Sequence, residues 1–176
     1  MGEDRGVPST ATVRFKVSEL LNHLYGQQHR LCSTPAGQLT LVLSRERDID
    51  LIELEQLCDA VGWSRRPLRR VRRALQNSLL LVGLWRHDPR LPKLVGFARC
   101  TGDGIVDATI WDVAVHPLYQ GAGLGKQLMA YVLELLRQQQ VERVSLFADP
   151  EVVEFYQAQG WELEPQQRRC AFWYAP

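Results

Sequence analysis

The sequence predicts an α/β fold in which a mixed, mostly antiparallel sheet contains a central parallel pair of strands and carries helices on both faces. Three apolar runs follow one another over residues 79–85, 94–100 and 105–115, with turn residues between them, as expected of antiparallel strands. Apolar residues then recur at helical spacing over residues 124–136. A further apolar run at 144–147 is expected to be parallel to the strand before that helix, because a helix connects the two.

Length and composition indicate one globular domain. The chain has 176 residues, of which 45% are hydrophobic and 23% charged, with a formal net charge of +1. This balance gives no indication of a nucleic-acid partner. No apolar run approaches the ~18 residues of a membrane span, and the first residues lack a signal peptide and a myristoylation motif, so we expect a soluble chain with no membrane contact. The sequence does not determine the oligomeric state and is compatible with an oligomer.

The four cysteines give no metal signature. Cys32, Cys58, Cys100 and Cys170 form no Cys-x-x-Cys pair, and no histidine stands at ligand spacing. We expect reduced, mostly buried thiols in a cytosol-like compartment, either a cytoplasm or a plastid stroma, and no bound metal. A catalytic cysteine is the alternative.

The chain divides into an N-terminal arm, residues 1–38, and the predicted domain, residues 39–176. Within the arm, residues 13–31 fit a short amphipathic segment, but the structure of the arm stays open. Residues 39–44 are expected to form the first strand of the domain. Residues 48–61 have the apolar spacing of a helix that Asp48 or Asp50 could cap.

A basic amphipathic helix is predicted to begin near Pro67. Its leucines and valine occupy one side, and its arginines recur at three- and four-residue spacing on another: Arg65, Arg66, Arg69, Arg70 and Arg73. The simplest interpretation is a solvated face partly neutralised by nearby acidic residues. The alternatives are a surface that guides an acidic partner or substrate, and one that contacts an anionic nucleic acid or membrane.

The end of the chain is predicted to contain a short helix and a strand pair. Asp149 suits the N-cap, Pro150 the first helical position and Gly160 the position after the helix. Residues 161–163 and 170–174 are expected to form a final antiparallel pair.

The segment between the third strand and the long helix predicts a phosphate cradle, with the sequence Gln120-Gly121-Ala122-Gly123-Leu124-Gly125-Lys126. Its three glycines allow consecutive N–H groups to turn toward one point. The helix start adds unpaired N–H groups and the positive end of its dipole. The glycine spacing fits neither a Walker loop nor a dinucleotide fingerprint. We therefore expect these residues to bind a diphosphate in another way.

This Gln-x-x-Gly-x-Gly pattern, after a strand ending in Val-His-Pro, resembles motif A of the GNAT family of N-acetyltransferases. Residues 146–161 resemble a second signature of the family, which is a strand followed by a helix. Here that helix carries Phe155-Tyr156 and ends in Gly160-Trp161. The resemblance covers residues 39–176. Within the family, four segments of the chain resemble the cyanobacterial and plastid serotonin N-acetyltransferase branch more closely: residues 94–99, 108–113, 146–149 and 172–174.

The resemblance implies the GNAT fold, with the parallel pair of strands splayed apart, and acetyl-CoA as the co-substrate. In that family the glycine loop binds the pyrophosphate, and strand backbone meets the pantetheine arm. Asp149 stands where many relatives have Asn, so a helix cap also explains that residue. The expected cofactor contacts are Val113, Ala114, Val115, Gln120, Gly121, Ala122, Gly123, Leu124, Gly125, Lys126, Asp149 and Tyr156.

Acetyl transfer to an amine needs a group that removes the ammonium proton and a group that protonates the departing thiolate. An alkylamine with a pKa near ~10.4 is only about one part in a thousand neutral at pH 7. Asp112 is the candidate base, because a carboxylate within an apolar strand needs a purpose or a partner. The alternative is a carboxylate satisfied by local backbone or by an arginine.

Tyr156 is the candidate acid, because the resemblance implies that the tyrosine of the Phe-Tyr pair protonates the sulfur. Its alternative is a core aromatic, since Val152, Phe155 and Tyr156 form an apolar stripe. His116, next to the loop, is expected to be a turn residue, because nothing else in the sequence supports a catalytic dyad.

The predicted function is direct acetyl transfer from acetyl-CoA to a primary amine, with a small arylalkylamine such as serotonin or tryptamine as the acceptor. Trp111 could stack on an indole, and Asp112 could attract its ammonium. Regular strand alternation groups Asp112 with Ile110 and Ala114, and Trp111 with Val113 and Val115, which also permits a core position for Trp111. The alternatives are a protein lysine or N-terminal acetyltransferase and a non-catalytic acyl-CoA-binding regulatory module.

Overall fold

The computed structural model describes residues 28–34, 37–44, 49–86, 93–167 and 171. The chain divides into two compact units, residues 1–145 and 146–176. Along the chain the strands and α-helices are β1 (Gln28–Thr34), β2 (Gly37–Ser44), α1 (Leu51–Ala60), α2 (Leu68–Gln76), β3 (Leu80–Arg86), β4 (Lys93–Gly102), β5 (Asp107–Val115), α3 (Leu124–Gln138), β6 (Arg143–Leu146) and α4 (Val153–Gln157).

The strands form one sheet in the order β1-β2-β3-β4-β5-β6. Each strand from β1 to β5 is antiparallel to the next. The entry to β6 runs in the same direction as β5, because the N–H groups of Glu142 and Arg143 donate to the carbonyls of Ile105 and Val106 at 3.1 and 3.0 Å. The predicted mixed and mostly antiparallel sheet, with a parallel pair around the long helix, is confirmed.

The sheet begins earlier than the sequence predicted. Residues 39–44 do lie in a strand, but β1 precedes it and pairs with it from Gln28 opposite Leu43 to Thr34 opposite Gly37. The prediction that residues 39–44 form the first strand is therefore wrong, because part of the range assigned to the arm supplies an antiparallel partner. Most of the predicted amphipathic segment at 13–31 lies outside the described residues.

Helix α1 begins where the sequence predicted a cap. The Asp50 Oδ1 accepts from the N–H groups of Ile52 and Glu53 at 2.7 and 3.1 Å. Helix α2 begins after Pro67 and exposes most of its length, with Leu75 as its buried residue. Both predicted helices are confirmed: α1 is shorter than the predicted range 48–61 by a few residues, and α2 begins next to Pro67 as predicted.

Helices cover both faces of the sheet. On one face α1 and α2 pack on β3, β4 and β5 in a cluster of Ile49, Leu54, Leu57, Leu75, Leu81, Leu94, Phe97 and Ala114. Helix α3 also packs on β3, β4 and β5, and it buries Leu128, Met129 and Val132. The alternate strand residues Val82, Ala98 and Cys100 are fully buried on that second face. Burial raises the pKa of the Cys100 thiol to about 12, which agrees with the expected reduced, inert cysteine.

Strand β5 contains a bulge at Asp112. Arg99 lies opposite Trp111 and Phe97 lies opposite Ala114, so two residues of β5, Asp112 and Val113, face one residue of β4. Asp112 has a φ of +54°, in the left-handed region. An extra residue with such a backbone bends the strand and interrupts the ladder.

The bulge overturns the regular alternation assumed for β5. Because Arg99 and Phe97 are two residues apart in β4, their partners Trp111 and Ala114 lie on one face. The expected grouping of Trp111 with Val113 and Val115, and of Asp112 with Ala114, is therefore wrong. Because of the extra residue, each later residue of β5 lies on the opposite face of the sheet from the one that regular alternation predicts.

The second unit begins at the end of β6 and contains a 3-10 turn, Pro150–Val152, that leads into α4. Pro150 occupies the predicted first position, and Gly160 has a φ of +85° after the helix. Asp149 stands at the cap position, but its side chain makes no capping hydrogen bond.

The predicted strand at residues 161–163 is absent from the described part of this unit. That segment is irregular, and a 3-10 turn at Pro165–Gln167 follows it. Glu164 and Gln166 have φ values of +45° and +58°, which end an extended conformation. The predicted partner strand, residues 170–174, lies outside the described residues apart from residue 171.

Replacing the cap of α1 should destabilise the first unit. We expect Asp50→Ala to lower the free energy of unfolding by about 1 kcal/mol, because two N–H groups lose their acceptor. Asp50→Asn, which keeps a capping oxygen, should lie close to the wild type. Urea unfolding measures both, and equal stability of the alanine variant would contradict the cap.

Candidate active site

The loop between β5 and α3 has the backbone that the glycines predicted. Gly121 and Gly123 have φ values of +77° and +74°. A Cβ atom built at either position would meet no atom within 4 Å, so the requirement for glycine lies in the backbone conformation rather than in space. The loop therefore leaves open room beside the N–H groups that it presents.

The start of α3 is open to an anion. Its cap residue, Gly123, supplies no side-chain hydrogen bond, and its first turn contains no acidic residue. The first N–H groups of any helix lack partners within the helix, and the dipole places positive potential there. Lys126 is exposed in the same turn. This combination suits a phosphate or diphosphate.

Gln120 fastens the loop to the strand before it. Its side-chain Nε2 donates to the carbonyl of Val115 at 2.8 Å, across the turn that leaves β5. The side chain of this motif residue thus has an internal role, and any cofactor contact from Gln120 would come from its backbone.

His116 is a turn residue, as expected. Its Nδ1 accepts from the N–H of Leu118 at 3.2 Å and caps the 3-10 turn Pro117–Tyr119. Burial, and secondly the positive charge of Lys93, lower the pKa of His116. Both effects favour the neutral ring that this hydrogen bond requires.

Two arginines face the Asp112 carboxylate. Arg99 Nε lies 2.7 Å from Oδ2, and Arg66 Nη1 lies 3.6 Å from Oδ1. The Arg99 side chain is only 14% exposed, whereas that of Arg66 is 69% exposed. The alternative considered for Asp112, a carboxylate partnered by arginine, is thus what the geometry contains. Its Oδ1 retains lone pairs, because 3.6 Å is too long for a hydrogen bond.

Cys58 of α1 lies near the same carboxylate. Burial, and secondly the negative charge of Asp112, raise the pKa of the Cys58 thiol. A raised pKa leaves little nucleophilic thiolate, so the environment gives no support to a catalytic cysteine. Helix α1, the segment before α2, and strands β4 and β5 all contribute to this region.

Trp111 lies on the face that Arg99 shares. Its indole Nε1 donates to the hydroxyl of Thr101 at 2.9 Å, and the residue is partly buried. The ring is therefore oriented by β4 and stands next to Asp112 in the strand. Arg66, Arg99 and Thr101 were not predicted as part of the site; a charged residue within the apolar run 94–100 was the available signal for Arg99.

Tyr156 and Asp149 belong to the second unit. Tyr156 is buried to 7% exposure, with its ring edge-on to Phe155 and Trp161 at centroid distances of 5.0 and 6.2 Å. Burial, and secondly the negative charge of Asp149, raise the pKa of its hydroxyl. The tyrosine therefore stays protonated at neutral pH and has a proton to give. The aromatic contacts also agree with a packing role.

The described residues lack two other kinds of site. No group of three or more His, Cys, Asp and Glu side chains among them could hold a metal ion. No helix in the described ranges has the length and apolar character that crossing a membrane requires.

Comparison with known families identifies the class of protein that this loop and sheet define. The model of the acetyltransferase (GNAT) family matches residues 49–161, which include the cradle, Asp112 and Tyr156. The chain therefore belongs to the GNAT family and is an N-acetyltransferase of that type.

Individual relatives agree with the family. An uncharacterized ycf52-like N-acetyltransferase of Prochlorococcus marinus is 62% identical over 152 residues, covering 86% of this chain and 84% of the relative. A soybean protein named histone acetyltransferase TAP1 is 42% identical, covering 76% of this chain and 61% of its own length. A rice protein named serotonin N-acetyltransferase 2, chloroplastic, is 36% identical, with 72% and 63% covered.

A solved structure shares the fold. A GNAT family acetyltransferase from Streptococcus pneumoniae superimposes with a TM-score of 0.65 at 25% identity, covering 77% of this chain and 98% of that one. The α/β GNAT fold predicted from the sequence is confirmed.

The cradle should fail when Gly123 acquires a β-branched side chain. We expect Gly123→Val to weaken acetyl-CoA binding at least about tenfold, because valine resists the left-handed backbone that turns the N–H groups inward. Calorimetry with acetyl-CoA measures the change. Gly62→Val is the matched control, since Gly62 also has a positive φ, +80°, and open space around it. Unchanged affinity in a folded Gly123 variant would place the cradle elsewhere.

Removal of one hydroxyl tests the acid. On the hypothesis that Tyr156 protonates the departing thiolate, we expect Tyr156→Phe to lower turnover about 10²-fold, while acetyl-CoA affinity stays near the wild type. Phe155→Leu, a change to the neighbouring ring, should affect stability more than turnover. Thermal unfolding and single-turnover rates separate the two. An unchanged chemical rate in Tyr156→Phe would contradict the assignment.

Proposed function

We propose that this N-acetyltransferase uses acetyl-CoA and transfers its acetyl group directly to a primary amine. The observation that carries the proposal is the open cradle at residues 120–126, where left-handed glycines, an uncapped helix start and Lys126 coincide. A diphosphate fits that chemistry, and acetyl-CoA supplies both a diphosphate and an activated acetyl group. The proposed backbone contacts of Val113, Ala114 and Val115 follow along the adjoining strand.

In the proposed reaction the neutral amine attacks the thioester carbonyl, the nitrogen loses a second proton as the carbon–sulfur bond breaks, and an amide and a thiol result. That second proton returns through water to the group that protonates the sulfur, so the proton count balances. The ammonium proton leaves before the attack, and we assign its removal to Asp112, directly or through water. Support comes from the Oδ1 oxygen, since Arg99 occupies only Oδ2 at 2.7 Å. We assign protonation of the departing sulfur to Tyr156, because its hydroxyl is protonated at neutral pH and the residue belongs to the Phe-Tyr pair of the family signature.

Asp149 is proposed as a further contact for the bound cofactor. Its carboxylate makes no capping hydrogen bond, so capping does not account for the residue. Its charge influences Tyr156, which ties it to the proposed acid.

The acceptor that we propose first is a small arylalkylamine such as serotonin or tryptamine. Trp111, partly buried and oriented by Thr101, stands beside Asp112 and offers an aromatic surface next to an acceptor for the ammonium. The name of the rice relative, serotonin N-acetyltransferase 2, agrees with this choice.

A protein lysine or N-terminal amine is the second candidate acceptor. The observation that favours it is the exposed basic face of α2, which carries Arg69, Arg70, Arg72 and Arg73. Such a face attracts acidic protein segments. The soybean relative named as a histone acetyltransferase also agrees with a protein acceptor.

A non-catalytic acyl-CoA-binding role is the third reading, and the site gives it less support. Tyr156 bears a hydroxyl that is held protonated. The cellular location is a separate proposal: a cytoplasm or a plastid stroma. Two relatives whose names include the word chloroplastic agree with the plastid, and the free thiols of Cys58 and Cys100 agree with a reducing compartment.

A panel of acceptors decides between these roles. With acetyl-CoA present, we expect tryptamine and serotonin to release free coenzyme A with a specificity constant at least about tenfold above that of a lysine peptide. Trp111→Leu should raise the Michaelis constant for tryptamine more than that for a simple alkylamine, which serves as the internal control. If a lysine peptide outperforms tryptamine tenfold, the protein acceptor replaces the arylalkylamine. No turnover with any amine would favour the binding module.

A further inference from the structure

We propose that Arg99 is a positioning residue whose ion pair with Asp112 holds the β5 bulge in the form that presents the backbone of Val113, Ala114 and Val115 to acetyl-CoA. The inference rests on the proposed function, because it assumes that this strand meets the cofactor. It adds a residue to the site that contacts neither the acetyl group nor the amine.

The backbone of Asp112 needs an external restraint. Its φ of +54° lies in the left-handed region, which side chains other than glycine occupy at a cost. Aspartate tolerates the region better than most residues, but no turn or loop imposes it here. The conformation occurs within a strand, opposite Ala98, where the regular ladder would favour an extended residue.

The Arg99 side chain is placed to supply that restraint. Arg99 lies opposite Trp111, one residue before the bulge, and its Nε donates across to Asp112 Oδ2 at 2.7 Å. The side chain is only 14% exposed and lies on the same face of β4 as Phe97, the face that α1 and α2 cover. A guanidinium in such surroundings is costly unless it is paired, so arginine and aspartate each need the other.

Arg66 adds a second, looser contact from the segment before α2. Its Nη1 lies 3.6 Å from Asp112 Oδ1, and its side chain is 69% exposed. Exposed contacts at that distance contribute little. The restraint on the bulge is therefore assigned to Arg99 and not to Arg66.

The position of the next three residues depends on the bulge. Before the bulge, Trp111 of β5 lies opposite Arg99 of β4. After the bulge, Ala114 lies opposite Phe97 and Val115 lies opposite Gly96. Loss of the extra residue would shift the register by one and turn each following side chain to the other face. Its loosening would move the peptide groups of Val113, Ala114 and Val115, and with them the proposed contacts to the pantetheine arm.

The same strand contains a control pair. Arg143 Nε lies 2.6 Å from Asp107 Oδ1, but these side chains are 61% and 48% exposed, and the φ of Asp107 is not positive. Both pairs join an arginine of a neighbouring strand to an aspartate of β5. Of these two pairs, only the Arg99 pair is largely shielded from solvent, at 14% and 21% exposure, and only it spans a bulge.

The test separates the two parts of the cofactor. 3′-Phospho-ADP contains the pyrophosphate that the cradle would hold but lacks the pantetheine arm. We expect Arg99→Met to weaken acetyl-CoA binding about tenfold in calorimetry, as for other coupled pairs in contact, and to change the affinity for 3′-phospho-ADP less than twofold. Arg143→Met should change neither affinity. Arg99→Lys should restore part of the acetyl-CoA affinity.

A double variant tests the pair itself. Arg99→Met with Asp112→Asn should bind acetyl-CoA no more weakly than Arg99→Met alone, because the shared interaction is already lost. Should Arg99→Met not fold, Asp112→Asn is the replacement variant, with the same expected difference between the two ligands. Circular dichroism confirms that each variant is folded before binding is measured.

The outcomes that overturn the inference are specific. Equal weakening of acetyl-CoA and 3′-phospho-ADP would indicate a general structural role, and unchanged acetyl-CoA binding would show that the bulge does not need Arg99. Additive effects in the double variant would show that the two residues act separately. If the wild-type chain itself binds no acetyl-CoA, the proposed function fails and the inference fails with it.

Discussion

Burial of strand β4 on both of its faces is the constraint around which the first unit is arranged. Val95 and Ala98 have no exposed surface, and Phe97 has 1%. Helices α1 and α2 cover the Phe97 face, and α3 covers the other. A strand enclosed in this way can accommodate a charged residue only if a neighbour neutralises it. Arg99 finds its partner on β5, and β5 leads through the 3-10 turn Pro117–Tyr119 into the glycine loop.

The elements that the sequence predicted well are those whose cause is local. The spacing of Leu124, Leu128 and Val132 predicts α3 because one helix face must be apolar, and the Asp50 cap depends on N–H groups two and three residues away. The positive φ of Gly121 and Gly123 was predictable for the same reason, since glycine adopts a left-handed backbone without steric cost. His116 also follows from its neighbours.

The features that the sequence did not predict depend on contacts between distant segments. Strand β1 pairs with the edge of β2. The residues of β1 do not themselves alternate clearly between apolar and polar, so the strand was not predicted. The bulge at Asp112 depends on the register with β4, so regular alternation gave the wrong faces for Trp111 and Ala114. A charged residue within each of two neighbouring apolar strands, Arg99 in β4 and Asp112 in β5, was a sequence signal for this ion pair. Its geometry required the pairing of the two strands.

The shallow attachment of α2 has a consequence for how this protein can diverge. Leu75 is its one buried residue, whereas α3 buries Leu124, Leu128, Met129, Tyr131, Val132 and Leu136. Substitutions at the exposed positions of α2 therefore alter surface potential at little cost in folding free energy, since surface changes of this kind fall within about 0.5 kcal/mol. The arginine-bearing helix can change its charge quickly over evolutionary time, while the sheet is held by packing and the glycine loop by its left-handed backbone. Homologues with one catalytic framework can thus come to prefer differently charged molecules.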